Sequence, residues 1–544
     1  MKKISLTLII CCVILTLHAQ TFVSTTPSNK NVILEEFTGR ICSNCPAGHR
    51  VAGEIANANQ GRVFLINIHT GDFAPTTHPN YNTPFGAEIA SKAGANFFPS
   101  GTVNRHLFSG QNTVLNGSRW LNSTNTILNE SSYVNIAAQS TINSVTRELV
   151  VNVEIYYTGN SPVVTNKLNV ALLQNNMLGA QTGMNGNPSQ IINGKYNHQH
   201  MLRHLLTGQW GEDITPATQG TFISKQYTYT VPAHLNGIDY DLPDLEIVVF
   251  IAEGEQEIIT GVKSSMNEVE NIAEFIAANN NVTNPMLYHI TGDLTFVFRS
   301  GANMYVQDET GGLLIYDNGN IITEKYEEGD IIHGIYGTYT LQNGISQMIP
   351  LKNTESAKNN TGEVIPLIAT VAEIINDYQT YESKLVRINN VILTEDHTFT
   401  ATASNVNFTQ DTNEMQCYNL HRTLDMALEE GMDVDIIGFV LRDDDVFRIA
   451  PRGNEDVIIE QAVVENNKLS VNIYPVPVNN TLVIETGNFN PERIEIFSYN
   501  GQILYIHDNP RTKESVDVQY LDAGIYFVRV FSGKDIVVRK FVKQ

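Results

Sequence analysis

The chain reads as a multidomain, mostly β protein with an α/β unit at its N-terminus, and three observations carry that reading. Period-two alternation of apolar and polar residues recurs from Tyr133 to Ala252 and again beyond Pro285, while helical periodicity is confined to short stretches. Asn, Gly and Pro punctuate those runs at turn spacing. Near the N-terminus an apolar run, Val32 to Phe37, passes through a short turn into Cys42-Ser-Asn-Cys45 and then a helical pattern. A length of 544 residues suggests about three to five domains.

Residues 1–19 read as a signal peptide. Lys2 and Lys3 supply the positive end, Ile4 to Leu17 is an apolar or hydroxyl run, and Leu17-His18-Ala19 before Gln20 offers a cleavage site. The run is short for a membrane span, and no later stretch approaches the eighteen or so apolar residues that one needs, so no transmembrane span is expected. Cys11 and Cys12 leave with the peptide, and a lipoprotein reading through Cys11 is weakened by Ile10 before it. The mature chain then keeps Cys42, Cys45 and Cys417. Export places them where a dithiol pair can persist as a disulfide.

Residues 20–130 form the α/β unit. Val32 to Phe37 predicts a buried strand, and Cys45 opens a helix to about Ala58 with Pro46 in its first turn. A strand from Arg62 to His69, a short helix near Phe85 to Ala93 and a turn at Phe98-Pro99 entering another strand follow. This order resembles thioredoxin-like proteins, and the resemblance implies a cis proline facing the disulfide, here Pro99. The physical case for Cys42 is its place at a helix N-terminus, where the dipole and free N–H groups favour a thiolate. Cys45 would be the resolving thiol. Glu36, six residues before Cys42, has the spacing of the buried acid that moves a proton in many such enzymes, and burial would raise its pKa for that work. Equally, the pair can be a structural disulfide. Ile41 and the Ser43-Asn44 pair depart from the usual Trp-Cys-Gly-Pro-Cys. The sequence therefore leaves open whether this is an enzyme, with thiol–disulfide oxidoreductase the activity to consider.

Residues 131–266 predict an immunoglobulin- or fibronectin-like β-sandwich, with strands at Tyr133 to Ala138, Leu149 to Tyr157, Leu168 to Leu173, Gln226 to Val231 and Leu245 to Ala252. His198 and His200 would share a strand face, with His204 nearby, and imidazoles so spaced can bind Zn²⁺ or Cu²⁺. No acidic or cysteine ligand stands beside them, so local packing is the expected role and no metal or cofactor is assigned. Glu35-Glu36-Phe37-Thr38-Gly39, Cys42 to Pro46, Ile68-His69-Thr70-Gly71, Phe98-Pro99 and the His-rich segment with Arg203 together resemble the outer-membrane-protein-twenty-eight-related family, over about Asn31 to Met266. The resemblance implies an exported surface or outer-membrane protein. It does not imply a porin, because the amphipathic strands are too few for a closed membrane barrel.

Residues 267–284 read as a linker, helical from Asn267 to Asn280. Beyond it runs a weak repeat. Tyr305-Val-Gln-Asp308 and Tyr326-Glu-Glu-Gly329 return as Phe408-Thr-Gln-Asp411 and Leu428-Glu-Glu-Gly431, at separations of 103 and 102 residues. The two modules, 285–362 and 363–460, resemble small barrels of the oligonucleotide/oligosaccharide-binding (OB-like) type. Fold class does not fix a ligand. The whole chain carries −23, and Pro285 to Glu460 holds 28 acidic against 10 basic residues, or −18. Nucleic acid needs basic grooves, so a surface glycan or protein is the expected partner. Asp443-Asp444-Asp445 reads as a solvated hairpin tip, since a Ca²⁺ cage needs about six to eight oxygens. Cys417 reads as a buried strand residue.

Residues 461–544 form a β-sandwich unit of their own, marked by Tyr474-Pro475-Val476-Pro477, a hairpin at Tyr499-Asn500-Gly501, Gly524, and Lys540 near the end. This is similar to the type A sorting domain read by the Por (type nine) secretion system, with Val476 where the family has Asn. The similarity implies secretion machinery as a partner, and a destination at the outer membrane, the cell surface or outside the cell.

Overall fold

The structure, a computed structural model, describes residues 22–279, 282–357, 359–459, 470–487, 489–498, 501–533 and 535–544. The expected signal peptide and the Tyr499-Asn500 step of the expected hairpin lie outside the described residues. The chain folds as two compact units divided between Ile458 and Ile459. It is mostly β, with several small closed barrels and sheets.

In the N-terminal part, β1 (Val32–Thr38) and β2 (Val63–His69) run parallel around α1 (Cys45–Ala58), and β3 (Ser100–Val103) lies antiparallel on the other side of β1. Helices α2 (Gly86–Ala93) and α3 (Gly117–Leu128) complete it. The alternation of β1 sorts its side chains onto two faces. Val32 and Leu34 pack with Ala52 and Ile55 of α1 and Trp120 of α3, while Ile33 and Phe37 pack with Ile89 and Ala90 of α2.

The expectation of a separate sandwich at residue 131 requires correction. Strands β4 (Val134–Ile142), β5 (Glu148–Tyr157), β6 (Asn166–Gln174), β7 (Met201–Leu205), β8 (Phe222–Thr230), β9 (Leu245–Glu253) and β10 (Glu257–Lys263) are present. They do not all stay together. One eight-stranded sheet runs β10-β9-β6-β7-β2-β1-β3, with Glu212–Ile214 added on β6, and only β8, β5, β4 and Ser265–Met266 form the second sheet. The reason is the outer edge of β2, whose backbone groups need partners. Asn67 N–H donates to the His200 carbonyl at 2.8 Å and Asn67 Nδ2 to that of Gln199 at 2.8 Å, joining β2 to β7. The sandwich core lies between the second sheet and β6 and β9, with Val151, Val153, Val170, Leu172, Val249 and Ile251 buried in it.

The large sheet also curls. Ile258 N–H of β10 donates to Asn104 O at 2.8 Å and Asn104 Nδ2 to Ile258 O at 3.1 Å, bringing β10 back toward the β1/β3 end. Beside this closure Glu35 and Arg105 form a buried two-point pair, Nη2 to Oε1 at 2.5 Å and Nε to Oε2 at 2.8 Å, with Thr102 Oγ1 donating to Oε2 at 3.0 Å. The guanidinium lies 5.5 Å from the Phe250 ring centroid.

The stretch expected to be a helical linker belongs to the first repeat module. Its helix is α4 (Ile272–Asn279), and Ile272 and Phe275 are buried in that module's core. The second module opens likewise with α5 (Val371–Asn376), which buries Val371 and Ile374. Both helix starts are held alike: Ile272 N–H donates to Asp308 Oδ2 at 2.9 Å, and Val371 N–H to Gln410 Oε1 at 2.8 Å. The five principal strands of the first module are Asn284–Ser300, Asn303–Gln307, Gly312–Tyr316, Ile331–Gln342 and Ile345–Pro350. Those of the second are Leu385–Leu393, Asn405–Gln410, Asn413–Tyr418, Asp433–Asp443 and Val446–Ala450. Each set closes in the order first, second, third, fifth, fourth, first. The two modules meet at a stacked Tyr305–Phe439 pair, centroids 3.8 Å apart. Cys417 is fully buried in the second core, its thiol pushed up to about 12 by desolvation.

In the unit from Ile459, a three-stranded and a four-stranded sheet pack around Leu482, Ile484, Ile496, Val528 and Phe541.

Replacing Arg105 by Met strands the Glu35 carboxylate in the curled core. Urea unfolding followed by the fluorescence of Trp120 and Trp210, the chain's two tryptophans, is expected to show a loss of about 3–5 kcal/mol. Lys92→Ala, which removes the exposed Lys92–Glu255 pair, is expected to cost less than about 1 kcal/mol.

Candidate functional site

The turn after β1 sets the cysteines. Cys42 N–H closes onto Gly39 O at 3.0 Å and Ile41 N–H onto Phe73 O at 3.1 Å, and α1 then starts at Cys45 with Pro46 in its first turn. Cys42 and Cys45 are joined as a disulfide, their Cα atoms 5.4 Å apart. Both are buried, Cys42 with 2% and Cys45 with 0% of its surface exposed.

What covers them comes from far along the chain, the strap at residues 180–187. Thr182 N–H donates to Arg40 O at 2.8 Å, and Gln181 Nε2 donates to Cys42 O at 3.0 Å and Gly39 O at 3.3 Å. Gly183 sits at φ +73°, and a Cβ there would lie 2.0 Å from Ser43 O, so the strap presses on the residues between the cysteines. Arg50 Nε reaches Gly186 O at 3.4 Å from α1.

Glu36 shares the α1 face of β1 with Leu34 and is completely buried, with neither carboxylate oxygen hydrogen-bonded. The helix comes down directly over it. A Cβ on Gly48, one turn after Cys45, would lie 2.5 Å from Glu36 Oε1 and 2.8 Å from Pro99 Cβ. Glu36, α1 and Pro99, which follows a cis peptide bond, are thus in contact. Desolvation holds the Glu36 carboxyl well above the usual carboxylate range.

Sequence reasoning missed the residues beside it. His49 Nε2 lies 3.9 Å from Glu36 Oε1 and 2.8 Å from Thr38 Oγ1, while Nδ1 lies 2.8 Å from Tyr196 Oη. Asn187 of the strap donates to that same phenol oxygen at 3.2 Å, which leaves the phenol proton for His49 Nδ1. Burial, and then the nearby His198, lower the His49 pKa to about 3, so the imidazole facing Glu36 is driven toward its neutral form. Tyr196 continues into His198, His69 and Tyr81, with ring centroids 4.8–5.5 Å apart. Burial lowers His198 to about 4 and His69 well below the usual imidazole range. His49, one turn after Cys45, was the signal that the sequence offered for this cluster.

The three histidines singled out from the sequence do not converge. His198 is in the cluster, His200 pairs through Nδ1 with Glu246 at 2.8 Å, and His204 stacks on Tyr229 at 4.6 Å. Among the described residues no group of three or more His, Cys, Asp or Glu is placed to hold a metal ion. Arg203 is buried, lies 4.2 Å from the Tyr240 ring centroid and donates to Ile238 O at 2.9 Å. At the acidic hairpin tip, Asp443 pairs with Arg448 at 2.7 Å, and Asp445 is fully exposed beside Arg442. In the C-terminal unit, Tyr474 donates to Glu485 at 2.9 Å, and Pro475, Pro477 and Lys540 are exposed, with Gly524 half-buried opposite Lys543.

Comparison with known proteins locates two segments. Residues 88–270 match the family described as outer membrane protein Omp28, and residues 472–544 match the secretion system C-terminal sorting domain. Among solved structures the chain is similar to HBP35 of Porphyromonas gingivalis at 17% identity, covering 59% of this chain and 99% of that one with a TM-score of 0.36. It is also similar to a domain of the outer membrane lipoprotein Omp28 from Porphyromonas gingivalis, at 20% identity, 25% of this chain, 89% of that chain and a TM-score of 0.17. Likenesses at these scores carry no functional argument. No curated protein sequence matches the chain.

Because the folded pKa of Glu36 is raised, its neutral form favours the fold fully below the unfolded carboxyl value near 4.3, and this is lost as pH rises toward the folded value. Relative to Glu36→Gln, the wild type is expected to lose stability at about 1.4 kcal/mol per pH unit over that window. Equal pH profiles for the two proteins in urea unfolding would show that the carboxyl is ionised in the fold.

Proposed function

We propose that this chain, exported to the outer membrane or cell surface as its Omp28-family segment and C-terminal sorting domain indicate, is a modular surface protein. In this reading its β domains bind a partner while the Cys42–Cys45 disulfide stays closed. The observation that carries it is the burial of both cysteines beneath a hydrogen-bonded strap. A dithiol that exchanges with partners needs an accessible attacking sulfur, and here the attacking position is covered by the chain itself.

We read the α/β part as thioredoxin-like. Parallel β1 and β2 flanking α1, antiparallel β3 after Pro99, and Glu36 beneath the helix support that reading. We read the repeat modules as OB-like, which their closed five-strand order supports. Their partner is a glycan or a protein. Arg299, Arg387, Arg442, Arg448 and Arg452 are each ion-paired within these modules, which leaves fewer cations free to meet phosphates. The C-terminal domain engages the secretion machinery through its exposed Tyr474-Pro475-Val476-Pro477 segment and Lys540. Among the described residues no helix is long and apolar enough to cross a membrane.

A second reading is a thiol–disulfide oxidoreductase, with Cys42 attacking, Cys45 resolving, Glu36 moving the proton and Pro99 shaping the groove. The orphaned Glu36 carboxyl in contact with α1 favours it.

Redox titration of the mature protein separates the two. A potential below about −300 mV, with no mixed disulfide trapped by Cys45→Ala, is the expected result. A value of roughly −120 to −270 mV together with trapped partners would establish the oxidoreductase instead. Truncation after Ile459 is expected to abolish surface display and leave the protein inside the outer membrane. Surface protease sensitivity of intact cells is the measurement, and undiminished display would remove the sorting role from the C-terminal unit.

A further inference from the structure

The Glu36 carboxyl is buried without a hydrogen bond, and the His49 ring stands beside it. We propose that His49 is a positioning residue for Glu36: its Nε2–H turns onto the carboxylate when the acid gives up its proton, and so lets Glu36 ionise inside the fold.

The tautomer of His49 is set from the strap. Ser189 Oγ donates to Asn187 Oδ1 at 2.9 Å, and Asn187 presents its Nδ2 to Tyr196 Oη at 3.2 Å. The phenol proton then goes to His49 Nδ1, 2.8 Å away. A neutral imidazole that accepts at Nδ1 carries its own proton at Nε2.

Nε2 is the nitrogen that faces the acid. It lies 2.8 Å from Thr38 Oγ1, which accepts the N–H while the acid is neutral, and 3.9 Å from Glu36 Oε1. Thr38 follows Glu36 by two residues on the same face of β1. A small turn of the ring therefore exchanges one acceptor for the other. The His49 side chain is 9% exposed and that of Glu36 is 0%, so the new bond would form away from water, where a charged acceptor gains most.

The other elements around Glu36 bring it no cation. On β2, Asn67 stands opposite Glu36 and gives its Nδ2 to Gln199 O, while His69 stands opposite Thr38. On β3 the neighbour is Gly101. Tyr196 faces the acid from the insertion, its phenol held protonated by burial, and Arg40 acts on His69. Burial alone raises the Glu36 carboxyl. A hydrogen bond to the charged form works in the opposite direction, and His49 is the group placed to give it.

This role deepens the oxidoreductase reading, on which its catalytic meaning rests. There the Cys45 thiol proton passes to the Glu36 carboxylate, the thiolate forms the bond to Cys42 Sγ, and the reduced partner leaves Cys42 as a thiolate. Glu36 can take that proton only if it has first ionised.

The test follows the protonated-carboxyl band of Glu36 by infrared spectroscopy of the mature full chain, with the Glu36→Gln spectrum subtracted at each pH. The band is expected at about pH 6, where an ordinary glutamate is already ionised, and is expected to vanish as pH rises. In His49→Leu and His49→Met, which offer no donor, it is expected to vanish about one pH unit higher or more, a tenfold change in the ionisation constant. His49→Gln, which restores an N–H, is expected to return most of that shift, with unchanged circular dichroism in all three. The same midpoint in the donor-free variants as in the wild type would overturn the positioning role. So would a wild-type band that persists at every pH at which the fold survives, or no band at about pH 6. A redox titration that finds no exchange would remove the oxidoreductase reading and leave these outcomes unchanged.

Discussion

The arrangement around the disulfide depends on the seam where β2 meets β7. A parallel pair flanking one helix, as β1 and β2 flank α1, leaves a row of backbone groups unpaired at the outer edge. The backbone near His200 fills that edge through Asn67, and the consequence is topological. Everything between β6 and β7 must then emerge next to the carboxyl ends of β1 and β2, where the cysteine turn lies. The strap at 180–187, Tyr196 and His198 all belong to that insertion. The insertion between β6 and β7, strands of the same sheet, thus supplies a cover that β1, β2 and α1 lack by themselves.

Burial beneath this cover explains the electrostatics. Glu36, His49, His69 and His198 are all shielded from water, and each is driven toward its neutral form, the acid by a raised pKa and the imidazoles by lowered ones. Burial thus disfavours charge throughout the cluster, which holds its titratable groups without ion pairs. Glu35, one residue away but on the opposite face of β1, takes the other solution and stays paired with Arg105. Two adjacent glutamates on one strand thus meet opposite fates because a strand alternates its faces.

The acidic modules follow a simpler rule. Five of their arginines are bound to carboxylates, among them Asp317, Asp435 and Asp456, which are themselves almost completely buried. The surplus carboxylates remain in water, where like charges are screened. Acidity here is a property of the surface, while the closed cores are built by the period-two alternation and by the helix at the start of each copy.

The local elements and the address are written in the linear pattern of the chain. The helix beginning at Cys45, the strands on either side of it and the turn at Pro99 follow from apolar periodicity and from the turn chemistry of Gly and Pro, both encoded within a few residues. The repeat at about one hundred residues and the C-terminal sorting segment were legible because each is a pattern along the chain. Which strands share a sheet, that α4 belongs to a barrel core, and that Cys42 is covered emerge only in three dimensions. Those outcomes rest on pairing between residues such as Asn67 and His200, separated by more than a hundred positions, and on close approaches such as Gly183 over Ser43. Hydrogen bonds and excluded volume act only once the backbone has brought such residues together. Neither periodicity nor composition records them.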